Sequence, residues 1–176
     1  RARARSTRSS STEASRATSA TERAWQALGR DGGAPVTLFR LPGIYGPGRS
    51  ALDQVRAGTA RRIDKPGQVF SRIHVDDIAG AVMAALARDD AGGIYNVADD
   101  LPAPSGDVVA FACELLGVAA PPAIPWAEAE PTLGAMARSF YAESRRVRNE
   151  RMKRLLGVAL RYPTYREGLS AILRGG

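Results

Sequence analysis

The stretch VTLFRLPGIYGPGR, residues 36–49, limits the folds open to this chain. Val36, Leu38 and Phe39 are β-forming residues in a short apolar run, and Pro42-Gly43 closes it. Proline removes a ladder donor and glycine frees the backbone, so the strand must leave its sheet through a tightly shaped turn. A second cluster, Gly46-Pro47-Gly48, follows only two residues after Ile44. The reading is a buried strand whose exit is more elaborate than a simple reversal requires.

The rest of the chain alternates strand-like and helix-like segments. Residues 1–18 are Arg/Ser/Ala-rich without apolar period and read as a disordered basic tail. SATERAWQALGRDGG reads as a helix, with Ser19 and Glu22 in capping-box spacing, Trp25 and Leu28 as an apolar edge and Gly29 as the stop. SALDQVRAG is a short helix and IDKPGQ a turn. VFSRIHVDDIAGAVMAALA joins a strand to a helix capped by Asp76, with Asp77 at its positive end. Ile78, Val82, Ala85 and Leu86 line the expected inner face. GGIYNVAD is another strand. PSGDVVAFACELLG is a helix capped by Ser105, with Val108, Ala112, Leu115 and Leu116 inward and Gly117 ending it. PPAIPW is extended. SRRVRNERMKRLLG predicts a basic helix packing through Val147, Met152 and Leu155, and TYREGLSAIL opens with a second capping box, Thr164 and Glu167. Strands alternating with helices imply a mainly parallel sheet with helices on its faces.

Charge narrows the function classes. The chain carries +7 over 176 residues, and its first thirty residues hold seven arginines against Glu13 and Glu22, five units of that excess. Within that stretch RARARSTRSSSTEAS, residues 1–15, offers no aromatic on which a base could stack, so a nucleic-acid arm is the lesser reading and a solvated tail the greater. No apolar run approaches the ~18 residues of a membrane span. Cys113, the single cysteine, reads as a small core residue in a reducing compartment, and the expected location is cytoplasmic. His74, the single histidine, has no companions at metal-ligand spacing, so no metal site is expected.

RLPGIYGPGR at 40–49, SRIHVDDIAGAV at 71–82 and GGIYNVAD at 92–99, in that order, resemble the C-terminal half of extended short-chain dehydrogenase/reductases, the NAD-dependent epimerase/dehydratase family. The tail RNERMKRLLGVALRYPTYREGL looks like that of an atypical subgroup of NAD(P)-dependent oxidoreductases. The resemblance implies an α/β fold: part of a Rossmann-like parallel sheet with a small C-terminal α/β substrate domain. Residues 19–46 and 69–100 would belong to the NAD(P)-binding part, and 47–68 and 101–176 to substrate-domain elements. It implies NAD or NADP as cofactor, a small-molecule or nucleotide-linked substrate, and a possible homodimer.

Ligands of open α/β sheets gather outside the carboxyl ends of the strands. By resemblance, Leu41, Pro42 and Ile44 face the nicotinamide end, and Gly43, Arg49 and Arg72 the substrate side. Arg72 could grip a carboxylate or phosphate in two-point fashion, or could pair with Asp76 or Asp77. Arg40 reads as an anchor of the strand end through a salt bridge. His74 is implied to be structural, bonding near the start of the VDD helix.

Two signatures of that family do not occur in these residues. No glycine-rich G-x-x-G-x-x-G turn is present to seat a pyrophosphate. No tyrosine has a lysine four residues on: Tyr45, Tyr141 and Tyr162 have Arg49, Arg145 and Arg166 there, and Tyr95 and Tyr165 have Asp99 and Leu169. Aligning the family's Ala-Glu pair with Thr21-Glu22 puts Ala14 and Thr18 at the tyrosine and lysine positions. No catalytic residue is therefore assigned. The expectation is a truncated or mis-framed product, inactive alone, that would transfer hydride if completed by an N-terminal half. A non-catalytic binding or partner-contact protein is the alternative, and a basic nucleic-acid-associated protein the third reading.

Overall fold

The computed structural model describes residues 18–142, 144 and 146–175. The expected basic tail lies outside these, apart from Thr18, and so does Ala14. Helix α1 occupies residues 18–31, already helical at Thr18, so Ser19 is not its cap. Gly29 is not its stop either. It is buried within the helix, where a Cβ would stand 2.6 Å from Val36 Cγ2. Glycine here lets α1 lie close on the following strand, and the helix ends at Gly32 and Gly33, the latter at φ +69°.

Six short strands form three parallel pairs among the described residues. β1 (Thr37–Arg40) pairs with β5 (Gly93–Asn96), β2 (Gly43–Tyr45) with β4 (Arg72–His74), and β3 (Arg62–Asp64) with β6 (Ala123–Pro125). Parallel pairing needs crossovers, and the helices supply them. α2 (Ala51–Arg56) and α3 (Val75–Leu86) precede β5, and α4 (Ser105–Leu116) runs between β5 and β6. α5 (Trp126–Ala129), α6 (Ala135–Ala142), α7 (Glu150–Leu156) and α8 (Tyr165–Leu173) complete the chain. This is the mixed α/β, Rossmann-like architecture the alternation implied.

Two apolar clusters hold it together. Ile73, Ala81, Ala85, Tyr95, Val97, Met152 and Leu156 form the first, beneath β4 and β5. Tyr45, Leu52, Val108, Ala112, Tyr165 and Leu169 form the second, between α2, α4 and α8. Cys113, on α4, is buried as a core residue, 1% exposed.

Several local expectations shift. β1 is half-buried rather than buried, because β5 is its one partner strand among the described residues. α3 is capped by His74, whose Nδ1 accepts the Asp76 amide at 3.2 Å, not by Asp76. Its inner face is Asp77, Ala81 and Ala85, so Val82 and Leu86 point outward; small alanines let the helix sit close to the strands. α4 has Pro104 at its N-cap and Ser105 as its first residue, with no side-chain cap, while Gly117 ends it at φ +66° as expected. The basic helix is only half its predicted length. Residues 146–149 are instead non-helical, held by Val147 N–H donating to Ser71 Oγ at 3.0 Å and Asn149 Nδ2 donating to the Ala98 carbonyl at 2.7 Å. Met152 and Leu156 pack in the core, whereas Leu155 is exposed. The Thr164–Glu167 capping box forms, as does an unforeseen one, Ser50–Asp53, on α2.

Candidate functional site

The carboxyl end of β1 is fixed from outside. Arg40 Nε donates to Glu22 Oε1 at 2.8 Å, and its Nη2 donates to the other carboxylate oxygen, a two-point fork from strand to α1. The guanidinium holds the Glu22 carboxyl below the ordinary carboxylate range. Arg40 is thus the anchor that the sequence suggested.

Beyond it the chain turns and re-enters as β2, with Gly43 opposite Arg72 in the β2–β4 register. Gly43 N–H donates to the Ser71 carbonyl at 3.3 Å. Gly46 and Arg49 exchange backbone hydrogen bonds of 3.2 and 3.0 Å, closing the GPG turn around Gly48 at φ +74°. Gly46 is required by packing, since a Cβ would lie 2.7 Å from Val75 Cγ1. Gly43 is different. A Cβ there would meet only the Ser71 carbonyl oxygen at 3.5 Å and Arg72 Cγ at 4.0 Å, ordinary contacts. The protein's own packing does not demand glycine at this position.

The residues expected at a cofactor lie together on this stretch and are open to solvent. Leu41 is 42% and Ile44 37% exposed, Pro42 is half-buried, and Gly43 and Arg49 are exposed. Arg72 lies deeper. Its Nη1 donates to the carbonyls of Phe70 at 2.9 Å and Ala103 at 3.0 Å, clamping the antiparallel bridge between those residues. Burial lowers its pKa, and the chief opposing charge is Asp99.

The alternative pairing of Arg72 with Asp76 or Asp77 is not made. Asp77 accepts the amides of Arg161 at 2.6 Å and Tyr162 at 3.1 Å, tying α3 to the segment before α8, and Asp76 lies 3.5 Å from Arg161 Nη1.

His74 is fully buried, edge-on to Tyr45 at 5.1 Å and against Tyr162 at 4.2 Å. Burial lowers its pKa, which favours the neutral ring that caps α3. Its role is structural.

Sequence reasoning missed Asp99. It follows β5, is 1% exposed, and gives its amide proton to the Arg72 carbonyl at 2.7 Å. Its Oδ1 accepts the Leu101 amide at 3.3 Å, and its Oδ2 has no hydrogen-bond partner among the described residues. Burial pushes the carboxyl up to about 7. The only visible signal was an aspartate ending the apolar run IYNVAD. Burial, then the charges of Asp99 and Asp77, push the Tyr45 phenol well above its usual range, so it stays protonated at neutral pH. Beside the strand end, then, stand a buried arginine, a carboxyl that titrates near neutrality and a locked phenol. Thr18, the position matched to the family's lysine, is exposed on α1.

Parallel strands joined by helical crossovers, with an open turn at their carboxyl edge, define a Rossmann-like α/β protein. The model of the NAD-dependent epimerase/dehydratase family matches residues 14–98. A Streptomyces 3-diazoavenalumate denitrifying reductase is 31% identical over 140 residues, 75% of this chain and 45% of the reductase. A conserved protein of unknown function from Silicibacter pomeroyi is 52% identical over 88% of this chain and 52% of its own, with a TM-score of 0.77. A human epimerase family protein solved with NADPH shares the fold at 23% identity, over 80% of this chain and 48% of its own, TM-score 0.66. Over residues 14–98 the chain is similar to the NAD-dependent epimerase/dehydratase family, and its fold is that of the family's solved members. It spans about half the length of the relatives it matches.

Proposed function

We propose that this chain supplies the carboxyl-edge wall and substrate side of an NAD(P)-dependent oxidoreductase of the epimerase/dehydratase type. In this reading Leu41, Pro42 and Ile44 face the nicotinamide, and Gly43, Arg49 and Arg72 the substrate. Residues 19–46 and 69–100 serve the dinucleotide, while 47–68 and 101–176 shape the substrate domain. NAD or NADP bound here would exchange hydride with a small or nucleotide-linked substrate.

The observation that carries the reading is Gly43: a glycine whose Cβ position is open, at the exposed start of β2 just beyond the carboxyl end of β1. With no internal demand for glycine, close approach of a ligand is the remaining physical reason. Arg72 acts through position, holding the Phe70–Ala103 bridge beside that turn. The glycine-rich turn and the Tyr/Lys pair are not among the 176 residues, so this chain alone is expected to turn over no cofactor.

The test is titration of NADH and NADPH into the chain alone and into the chain co-expressed with the N-terminal half of the Silicibacter pomeroyi relative, following the amide resonances of Leu41, Gly43 and Ile44. The reading expects no measurable binding alone, and shifts at those amides in the assembly. Binding without any shift at 41–44 would refute the assignment.

A further inference from the structure

A cavity of about 380 Å³ opens between β3, the turn that follows it and the first turn of α4. Two walls differ in chemistry. One is aromatic: Tyr141 stacks on Trp126 with ring centroids 5.0 Å apart and meets Phe70 edge-on at 5.1 Å. The other is polar and cationic. Arg62, Lys65 and Arg146 line it against Asp64 and Asp107, leaving one net positive charge. Lys65 Nζ sits 4.5 Å over the Trp126 ring and donates to the Tyr141 carbonyl, which fixes that cation beside the aromatic wall. Ser105 Oγ and Tyr141 Oη lie 2.9 Å apart at the helix end.

The end of α4 adds to this cationic side. The helix is twelve residues long and no side chain caps it, because its N-cap is Pro104. Its amide end therefore contributes positive potential. Gly106 lines the cavity in the first turn of α4, 3.7 Å from the Ile63 carbonyl at its Cβ position. Phe70, which also lines the cavity, is held in place by its bridge to Ala103, whose carbonyl Arg72 clamps together with that of Phe70.

We propose that this cavity binds a small aromatic anion, a planar ring bearing one carboxylate, with the ring against Tyr141 and Phe70 and the carboxylate toward Lys65, Arg146 and the α4 amides. A volume at the low end of ligand pockets suits one or two fused rings. The proposal rests on the reading that this chain supplies the substrate side, and it names the substrate class. Its test needs no dinucleotide, so the two can fail separately.

The probe is 2-naphthoate titrated into the full chain, read by calorimetry and by Trp126 fluorescence in a Trp25→Phe background. Controls are the uncharged 2-naphthol and inorganic phosphate. Expected are saturable naphthoate binding, at least tenfold weaker naphthol and phosphate binding, and at least tenfold loss in Arg146→Glu with an unchanged melting temperature. Tyr141→Leu is expected to weaken naphthoate while leaving the weak phosphate affinity as it was. Naphthol binding as well as naphthoate, phosphate binding as well as naphthoate, no binding of naphthoate, or indifference to Arg146→Glu would each overturn the proposal.

Discussion

The two apolar clusters are closed to different degrees. Around α4 and α8 the surfaces fit: Leu52, Ala112 and Leu169 are almost wholly buried, and α8 rests on the Tyr45 ring through Gly168. Around β1 and α3 the core beneath the strands is dry, yet large apolar groups stand outside it. Leu86 is 75% and Met83 65% exposed on α3, and Trp25 and Leu28 on α1 are more than half exposed. The strand pair β1–β5 is only half covered, and its exit turn is open. Both interiors are closed, but the first region also keeps exposed apolar surface beside its core, the property of a wall that something else covers.

The sharpest way to break this contrast is inside the α8 contact. Gly168→Ala places a Cβ 2.8 Å from Tyr45 Cε2 and Cζ and closer still to its hydroxyl. A destabilisation of roughly 2–4 kcal/mol is expected, read by denaturant titration, and Tyr45→Leu in the same chain should recover much of it. Leu169→Ala, at a site 1% exposed, should cost about 2–4 kcal/mol. Equal costs for Leu86→Ala and Leu169→Ala would erase the distinction between the regions.

A pH series probes the seam. Folding raises Asp99 from 3.8 to about 7, so the native state keeps a proton that the unfolded chain releases. The contribution to stability is full below about pH 4 and is lost as pH rises through 7, because across that window the native state binds the proton that the unfolded chain has released; above it both have released it and the slope vanishes. Melting temperature in wild type should decline across that window from this group. Asp99→Asn should flatten the decline; an unchanged slope would remove Asp99 as its source.

Smaller effects complete the set. Ser50→Ala removes a capping box on α2 and should cost about 1 kcal/mol in thermal unfolding. Leu86→Lys, on the open face of α3, should stay within about 0.5 kcal/mol of wild type and lower the tendency to aggregate in light scattering. A loss above 2 kcal/mol would mean that the face is covered.

What could be seen in the sequence followed from strong local chemistry. Pro42-Gly43 had to end a strand, Gly117 and Gly157 had to end helices, and Thr164 with Glu167 had to start one. The misses have a common cause, tertiary contact overriding a local signal. Gly29 looked like a terminator but serves the approach of α1 to Val36. Asp76 looked like the cap of α3, yet the buried His74 ring reaches the amide first. Residues 146–149 had helical composition, and hydrogen bonds to Ser71 and Ala98 hold them out of the helix. Asp99 and the cavity beside α4 could not be seen at all, because both depend on segments distant in the chain meeting after folding. The turn at 41–44 was legible because its strangeness is entirely local.

That turn also allows the most direct measurement. An alanine Cβ at Gly43 fits the protein's own space, so its effect on a ligand is separable from its effect on folding. In the assembly formed with the Silicibacter pomeroyi N-terminal half, Gly43→Ala should weaken NADH or NADPH binding at least tenfold with a melting temperature within about 2 °C of wild type. Equal dinucleotide affinity in both forms, or no dinucleotide binding by the wild-type assembly, would contradict the assignment of this strand end to a cofactor.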